Sequence, residues 1–305
     1  MGLFHCPVGA AYYDDDDCID CGLCYARTDE ERVEASKKIR EYIRSCAPAS
    51  PRIGKIAICG KGGSGKTTIT TLLASALKDT GYRVTILDAD ESNPGLGRLL
   101  GMKKEPAPLR ELFREDPSPA DAIEQKLLER DQFAVTDMPS RFVADHGGLK
   151  FMLAGKITDP FQGCACSLAE CARRVVEKLR VGDGEMLLID MEAGVESFGR
   201  GVERHADTVL AVVEPSYESI VLAERIAFMA QGMGITRIGA VLNKIPAQNT
   251  ADRITGELDK RGVKIFGIVH YDQVLAEAGL EGKPLPCTAA FDEVKEIVRS
   301  LIIRG

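Results

Sequence analysis

No apolar run in this chain approaches the roughly 18 residues that a membrane span needs, so a membrane-spanning helix is not expected. The opening residues, "MGLFHCPVGAAYYDDDD", lack the basic start and the long apolar stretch of a secretory signal, which makes a cytoplasmic chain the expectation. Basic residues nowhere run beyond about a pair, and 39 of them face 46 acids for a net charge of −7. A nucleic-acid backbone asks for a positive footprint, so nucleic acid is excluded as the main partner. Structural disulfides are excluded by the reducing compartment. The ten cysteines therefore need another reason.

Their distribution supplies one. Cys6, Cys18, Cys21 and Cys24 crowd the first stretch, and Cys164, Cys166 and Cys171 form a second knot in "FQGCACSLAEC". Clustered cysteine in a cytosolic chain points to metal or redox chemistry. Cys46, Cys59 and Cys287 stand alone, and each reads as a buried free thiol.

With 305 residues the chain holds one large α/β domain plus something small, or two modest domains. A composition break at "CAPASPRIG" puts the boundary near residue 50, giving segments 1–50 and 51–305. Before it, Ile39, Tyr42, Ile43 and Cys46 share one face of a helix expected to dock the N-terminal segment. Asp14 to Asp17 read as a solvated turn. After the break, "KIAIC", "RVTILDAD", "EMLLID", "DTVLAVVEP", "ITRIGAVLNK" and "VKIFGIVHYD" are apolar strand patterns separated by helical stretches. That alternation indicates an α/β fold, a mostly parallel sheet covered by helices on both faces. Residues 102 to 150, rich in proline and charge, are expected as an excursion above the carboxyl edge of the sheet. The amphipathic end, "FDEVKEIVRSLIIRG", reads as a core-packing helix.

"GKGGSGKTT", residues 60 to 68, lies between a strand and a helix and matches the phosphate-loop pattern G-x-x-x-x-G-K-S/T. Gly60, Gly62, Gly63, Ser64 and Gly65 let successive backbone N–H groups turn toward one anion, and the helix N-terminus adds its dipole. Lys66 reaches the β- and γ-phosphates, Thr67 offers a hydroxyl to Mg²⁺, and Thr68 completes the cradle.

A second lysine, Lys61, follows the first glycine. "KGGSGKT" resembles the deviant Walker A ATPases, a group that includes MinD, ParA, the nitrogenase iron protein and the CooC-type nickel-insertion ATPases. The resemblance spans about residues 53 to 305 and implies a P-loop fold, ATP with Mg²⁺, and a homodimer sandwiching two nucleotides. Lys61 would then cross to the partner's nucleotide and stabilise charge as an arginine finger does. By the same resemblance Asp90 orients the attacking water, while Asp88 and Asp190 serve the magnesium shell. The Gly194 amide would sense the γ-phosphate, and the Asn243 amide would pair with adenine.

The cysteines separate the members of this group. CooC-type ATPases carry a C-x-C pair before the Walker B strand, as Cys164 and Cys166 precede Asp190, and "DMEAGVESFGRGVERHADTVLAVVEPSYESI" also resembles theirs. Glu192 departs from the small residue expected there. Doubled by a two-fold axis, the pair would offer four thiolates, a set that suits Ni²⁺, Zn²⁺ or an iron–sulfur cluster. C-x-C is a weak pattern alone, and inert core residues are the alternative; Cys171, inside a good helix, reads as packing. "CPVGAAYYDDDDCIDCGLC" resembles half of a bacterial ferredoxin, implying one [4Fe–4S] cluster on Cys6, Cys18, Cys21 and Cys24, with structural zinc as the alternative.

The resemblance thus implies a dimeric ATPase that inserts nickel into a client such as carbon monoxide dehydrogenase or acetyl-CoA synthase. An ATP-gated reductase like the nitrogenase iron protein and an iron–sulfur carrier of the Mrp or Nbp type are the competing readings. Those carriers place their cysteine pair after Walker B, which disfavours them here.

Overall fold

The computed structural model describes residues 54–303 except 93, 94, 115 and 158–164, together with seven positions between 27 and 38. Of those seven, Glu30, Glu31, Glu34, Ala35 and Lys38 are helical, the last four inside the stretch expected to form the docking helix. Cys6, Cys18, Cys21, Cys24, Cys46 and Cys164 lie outside the described residues, as do the acids 14–17.

In chain order the elements are β1 (Lys55–Gly60), α1 (Lys66–Asp79), β2 (Arg83–Asp88), α2 (Leu96–Leu99), α3 (Pro119–Gln125), β3 (Ala144–His146), β4 (Leu149–Leu153) and α4 (Ala165–Lys178). The second half runs β5 (Glu185–Asp190), α5 (Glu196–Arg200), β6 (Thr208–Val213), α6 (Tyr217–Gly232), β7 (Arg237–Ile245), α7 (Gln248–Lys260), β8 (Ile265–His270), α8 (Gln273–Glu281) and α9 (Ala289–Ile303). The eight strands form one sheet in the order β3-β4-β2-β5-β1-β6-β7-β8, parallel except for the β3–β4 pair.

Burial on both faces follows from the strand sequences. Along β1, Ile56 and Ile58 enter one apolar cluster with Ile69, Leu73 and Leu77 of α1 and Val294 and Val298 of α9. Their neighbours Ala57 and Cys59 point to the opposite cluster, where α4, α6 and α7 bring Val175, Ile226 and Leu258. Successive strand residues face opposite sides, so an unbroken apolar run needs cover on both. Each such buried aliphatic side chain contributes about 1.5–3 kcal/mol. The amphipathic C-terminal helix is thereby a core element, as its pattern indicates.

Two expectations need correction. The segment 102–150 is not merely an excursion above the carboxyl edge. Leu109, Leu112, Leu127, Phe133 and Phe142 are buried in the same cluster as α4, so the segment covers part of a sheet face. It is built of short 3₁₀ turns such as Leu109–Phe113, where i and i+3 side chains eclipse and share one side, and of the short helix α3, which Pro119 opens. The segment then adds β3 and β4, two strands too short to announce themselves. Cys287 is exposed rather than buried, because residues 283–288 run without regular structure between α8 and α9.

Candidate functional site

Parallel strands bring their carboxyl ends to one edge, and the site is built there. β1 runs between β5 and β6, with Asp190 on β5 beside Ile58 and level with Asp88 on β2. The loop after β1 is shaped by its neighbours. A Cβ on Gly60 would come within 2.6 Å of the Val212 carbonyl, and one on Gly65 within 2.3 Å of Asn243 Nδ2. Gly65 also has φ +92, a left-handed conformation that favours glycine. Asn243 Nδ2 donates to Ser64 O at 2.8 Å, and Lys244 Nζ donates to Gly63 O at 2.6 Å. Lys244 takes φ 58 to do so, the sole non-glycine with positive φ among the described residues. Thus β7 braces the loop from below.

Lys66 is 7% exposed, and its Nζ lies 3.4 Å from Lys61 O, inside the curl of the loop. Thr67 Oγ1 donates to Asp190 Oδ2 at 2.8 Å, and Thr70 Oγ1 approaches Asp190 Oδ1 at 3.3 Å. Burial pushes the Asp190 carboxyl up to about 6 and that of Asp88 up to about 7. Ser64 Oγ is buried with no hydrogen-bond partner among the described residues. Beside the loop, a cleft of about 380 Å³ opens between Lys66 and Thr67 on one wall and Arg98, Leu99, Gly279 and Gly282 on the other. A glycine cradle, an unpartnered hydroxyl, and a threonine–aspartate pair fit a nucleoside triphosphate with its Mg²⁺. When bound, Mg²⁺ would be held by Thr67 and by Asp190, with Asp88 beside them, and would polarise the β- and γ-phosphate oxygens.

The other expected residues fall as follows. Asp90 is buried, and its Oδ1 accepts from Ser92 N at 2.9 Å and Ser92 Oγ at 2.6 Å. The Gly194 amide donates to Gly60 O at 3.2 Å, tying the end of β5 to the phosphate loop. Lys61 Nζ pairs with Glu214 Oε1 at 2.8 Å, and that hydrogen bond raises its pKa. Glu192 has a partner that explains it. Arg200 Nη1 donates to Glu192 Oε1 at 2.5 Å and lies 3.8 Å from Glu91 Oε1. Burial and a hydrogen bond shared with Glu91 push the Glu192 carboxyl up to about 7 against the pull of Arg200.

Sequence reasoning missed Lys156. Its Nζ donates to Asp88 Oδ2 at 2.8 Å and to the Asp90 carbonyl, with only 10% of the side chain exposed. No motif surrounds it; the one signal was a lysine closing an apolar strand pattern. Cys166 is exposed in the first turn of α4, within electrostatic reach of Arg200. Cys171 is buried, and burial pushes its thiol up to about 11, as a packing residue requires. Among the described residues no group of three or more His, Cys, Asp or Glu side chains is placed to hold a metal ion. No described helix is long and apolar enough to cross a membrane.

Residues 55–285 match the CobQ/CobB/MinD/ParA nucleotide binding domain. An uncharacterised ATP-binding protein of Methanocaldococcus jannaschii is 33% identical over 253 residues, covering 81% of this chain and 99% of that protein. The carbon monoxide dehydrogenase accessory protein CooC of Rhodospirillum rubrum is 32% identical over 235 residues, covering 75% of this chain and 88% of that one. Among solved structures, the MinD of Pyrococcus horikoshii complexed with Mg-ADP superposes with a TM-score of 0.61 at 19% identity, over 82% of this chain and 96% of that one. With its phosphate loop, its strand-end acids and these relatives, the chain belongs to the CobQ/CobB/MinD/ParA nucleotide-binding family and is a P-loop ATPase.

Proposed function

We propose that this ATPase works as a homodimeric metallochaperone that uses ATP to load nickel into a metalloenzyme. The observation that carries the reading is the place of Cys166. It is exposed on the first turn of α4, within electrostatic reach of Arg200, which itself holds Glu192 at the end of the nucleotide site. A thiol there can respond to what the nucleotide does. The likeness to a carbon monoxide dehydrogenase accessory protein supports a client of that class, acetyl-CoA synthase included.

In this reading Lys66 binds the phosphates, Asp90, fixed by Ser92, orients the attacking water, and Lys61 leaves Glu214 to reach the partner's nucleotide. The Gly194 amide reports the γ-phosphate once freed from Gly60, and Asn243 serves the base while bracing the loop. Cys164 and Cys166 from both subunits bind the ion as cargo, Ni²⁺ or Zn²⁺. Cys6, Cys18, Cys21 and Cys24 hold a [4Fe–4S] cluster in a small segment of their own.

The test is titration of the full chain with Ni²⁺ and Zn²⁺, with and without a non-hydrolysable ATP analogue, beside Cys164→Ser/Cys166→Ser. One sulfide-independent ion per dimer, lost in the double variant and tightened by the analogue, is expected. Linkage requires that metal tighten the nucleotide-bound dimer by the same free energy. Equal binding by the variant would sink the site. A nitrogenase iron protein of Methanothermococcus thermolithotrophicus is 25% identical over 258 residues. A reducible cluster at the cysteine pair would favour the reductase reading that this likeness suggests.

A further inference from the structure

We infer that Arg200 is a positioning residue for ATP hydrolysis, one that ties the chain leaving β2 to the chain leaving β5 and so fixes the place of Asp90. The inference rests on the reading of Asp90 as the group that orients the attacking water, and on nothing about a metal cargo or a client.

β2 and β5 run side by side until Asp88 lies opposite Asp190, and Ala89 N then donates to Asp190 O at 2.9 Å. That is the last backbone hydrogen bond between the two chains among the described residues. Beyond it, side chains make the connection. Glu91 and Glu192 share a hydrogen bond, and Arg200 Nη1 donates to Glu192 Oε1 at 2.5 Å while lying 3.8 Å from Glu91 Oε1. The three side chains are largely withdrawn from water, Glu91 13%, Glu192 12% and Arg200 24% exposed. At that depth a guanidinium between two carboxylates holds more firmly than a wet surface pair. Without a cation the two carboxylates would repel one another.

Arg200 stands on a fixed base. It ends α5, whose Ser197 and Phe198 are buried, and Ser197 Oγ donates to the buried Glu203 carboxyl. Gly201, at φ 73, closes the helix with its N–H on Ser197 O at 2.9 Å.

Asp90 sits between the two ties. Ser92 bonds its Oδ1 twice and sets the rotation of the carboxylate, while Asp90 N donates to Asp88 Oδ1 at 3.1 Å. From the β4 side, Lys156 Nζ and Ile157 N hold the carbonyls of Asp90 and Glu91. Toward β5, the flanking residues do the holding, Ala89 through its amide and Glu91 through Arg200 and Glu192. A misplacement of about 1 Å in a group that orients a reactant can cost on the order of 100-fold in rate. Nucleotide binding does not depend on this bridge, because the phosphate loop is braced from β7 by Asn243 and Lys244.

The test measures steady-state phosphate release and equilibrium binding of a non-hydrolysable ATP analogue, both with Mg²⁺, in the full chain. Arg200→Met should lose about tenfold or more in kcat, with analogue affinity kept within about twofold. Arg200→Lys, which keeps the charge and a donor, should restore most of the loss. Glu91→Ala leaves the Arg200–Glu192 pair in place and removes only the link to β2. It should show the same loss in kcat, and Glu91→Ala/Arg200→Met should be no worse than either alone. Full turnover by Glu91→Ala would mean that Arg200 merely stabilises α5, and would overturn the inference even if Arg200→Met failed to fold. So would a loss confined to analogue binding, or one traced by light scattering to failed pairing of subunits. Asp90→Asn separates the inference from its basis. It should lose at least as much turnover as Arg200→Met, and adding Arg200→Met to it should cost nothing more. Additive losses would overturn the inference and leave the role of Asp90 standing. Full turnover by Asp90→Asn alone would refute the water-orienting reading, and this inference with it.

Discussion

Two lysine–carboxylate pairs flank the phosphate loop at the same 2.8 Å, Lys61 with Glu214 and Lys156 with Asp88. They differ in depth. The Lys61 side chain is 39% exposed and its partner 19%, against 10% and 3% for the second pair. A wet pair forms and breaks at little cost, which suits a lysine expected to swing across a dimer interface. A buried pair resists separation because each charge would be left without water. Equal lengths thus conceal one catch that releases and one that holds.

The largest effects should separate the two by activity. Lys61→Ala should keep ATP binding but lose about a hundredfold or more in hydrolysis, whereas Lys66→Ala should lose binding itself. Steady-state phosphate release together with equilibrium nucleotide binding checks both, and full turnover by Lys61→Ala would remove the sandwich dimer.

Next comes stability. Lys156→Met leaves Asp88 buried and unpaired, and should cost about 3–5 kcal/mol in urea unfolding, most of it recovered in Asp88→Asn/Lys156→Met. A loss no larger than that of Glu214→Gln would erase the distinction between the pairs.

Glu203 shows what a buried carboxyl does without a lysine. It is fully buried, accepts from Ser197 Oγ, and burial pushes it up to about 7. The folded chain keeps this proton where the unfolded chain has released it. Its contribution to stability is therefore whole below the ordinary carboxylate value of 4.5 and is lost as pH rises toward about 7. Glu203→Gln cannot ionise and should remove up to about 3 kcal/mol of that decline, read from urea midpoints across the window. A parallel decline in the variant would assign the pH dependence elsewhere. The smallest effect is expected for Glu214→Gln, whose urea midpoint should match the parent's at any salt concentration.

What was legible in the sequence follows from how local each signal is. The phosphate loop, its second lysine and the strand-end acids Asp88, Asp90 and Asp190 each sit beside a recognisable strand or glycine turn, so a few consecutive residues identify them. The six apolar strand patterns likewise needed only their own neighbours. Lys156 did not show because its partner lies 68 residues away, brought near only when β4 lines up with β2. Glu192 stood out as a departure, yet its reason, Arg200, depends on how α5 folds back. The stretch 102–143 misled because short turns and one two-turn helix bury leucines without a sustained helical or alternating period. The exposure of Cys287 was equally hidden, since a cysteine between two helices gives no sign of which way it faces.

The ends of the sheet carry one more consequence. One edge is β3, a three-residue antiparallel strand ending in Asp145 and His146, and the other is β8, whose pairing with β7 is broken by register shifts. Both are poor templates for a further strand, one too short and charged, the other irregular. Growth of the sheet from copy to copy, the route to fibres and open-ended aggregates, is thereby discouraged at either side. Two copies that meet would do so across helices or across the carboxyl edge rather than by strand pairing.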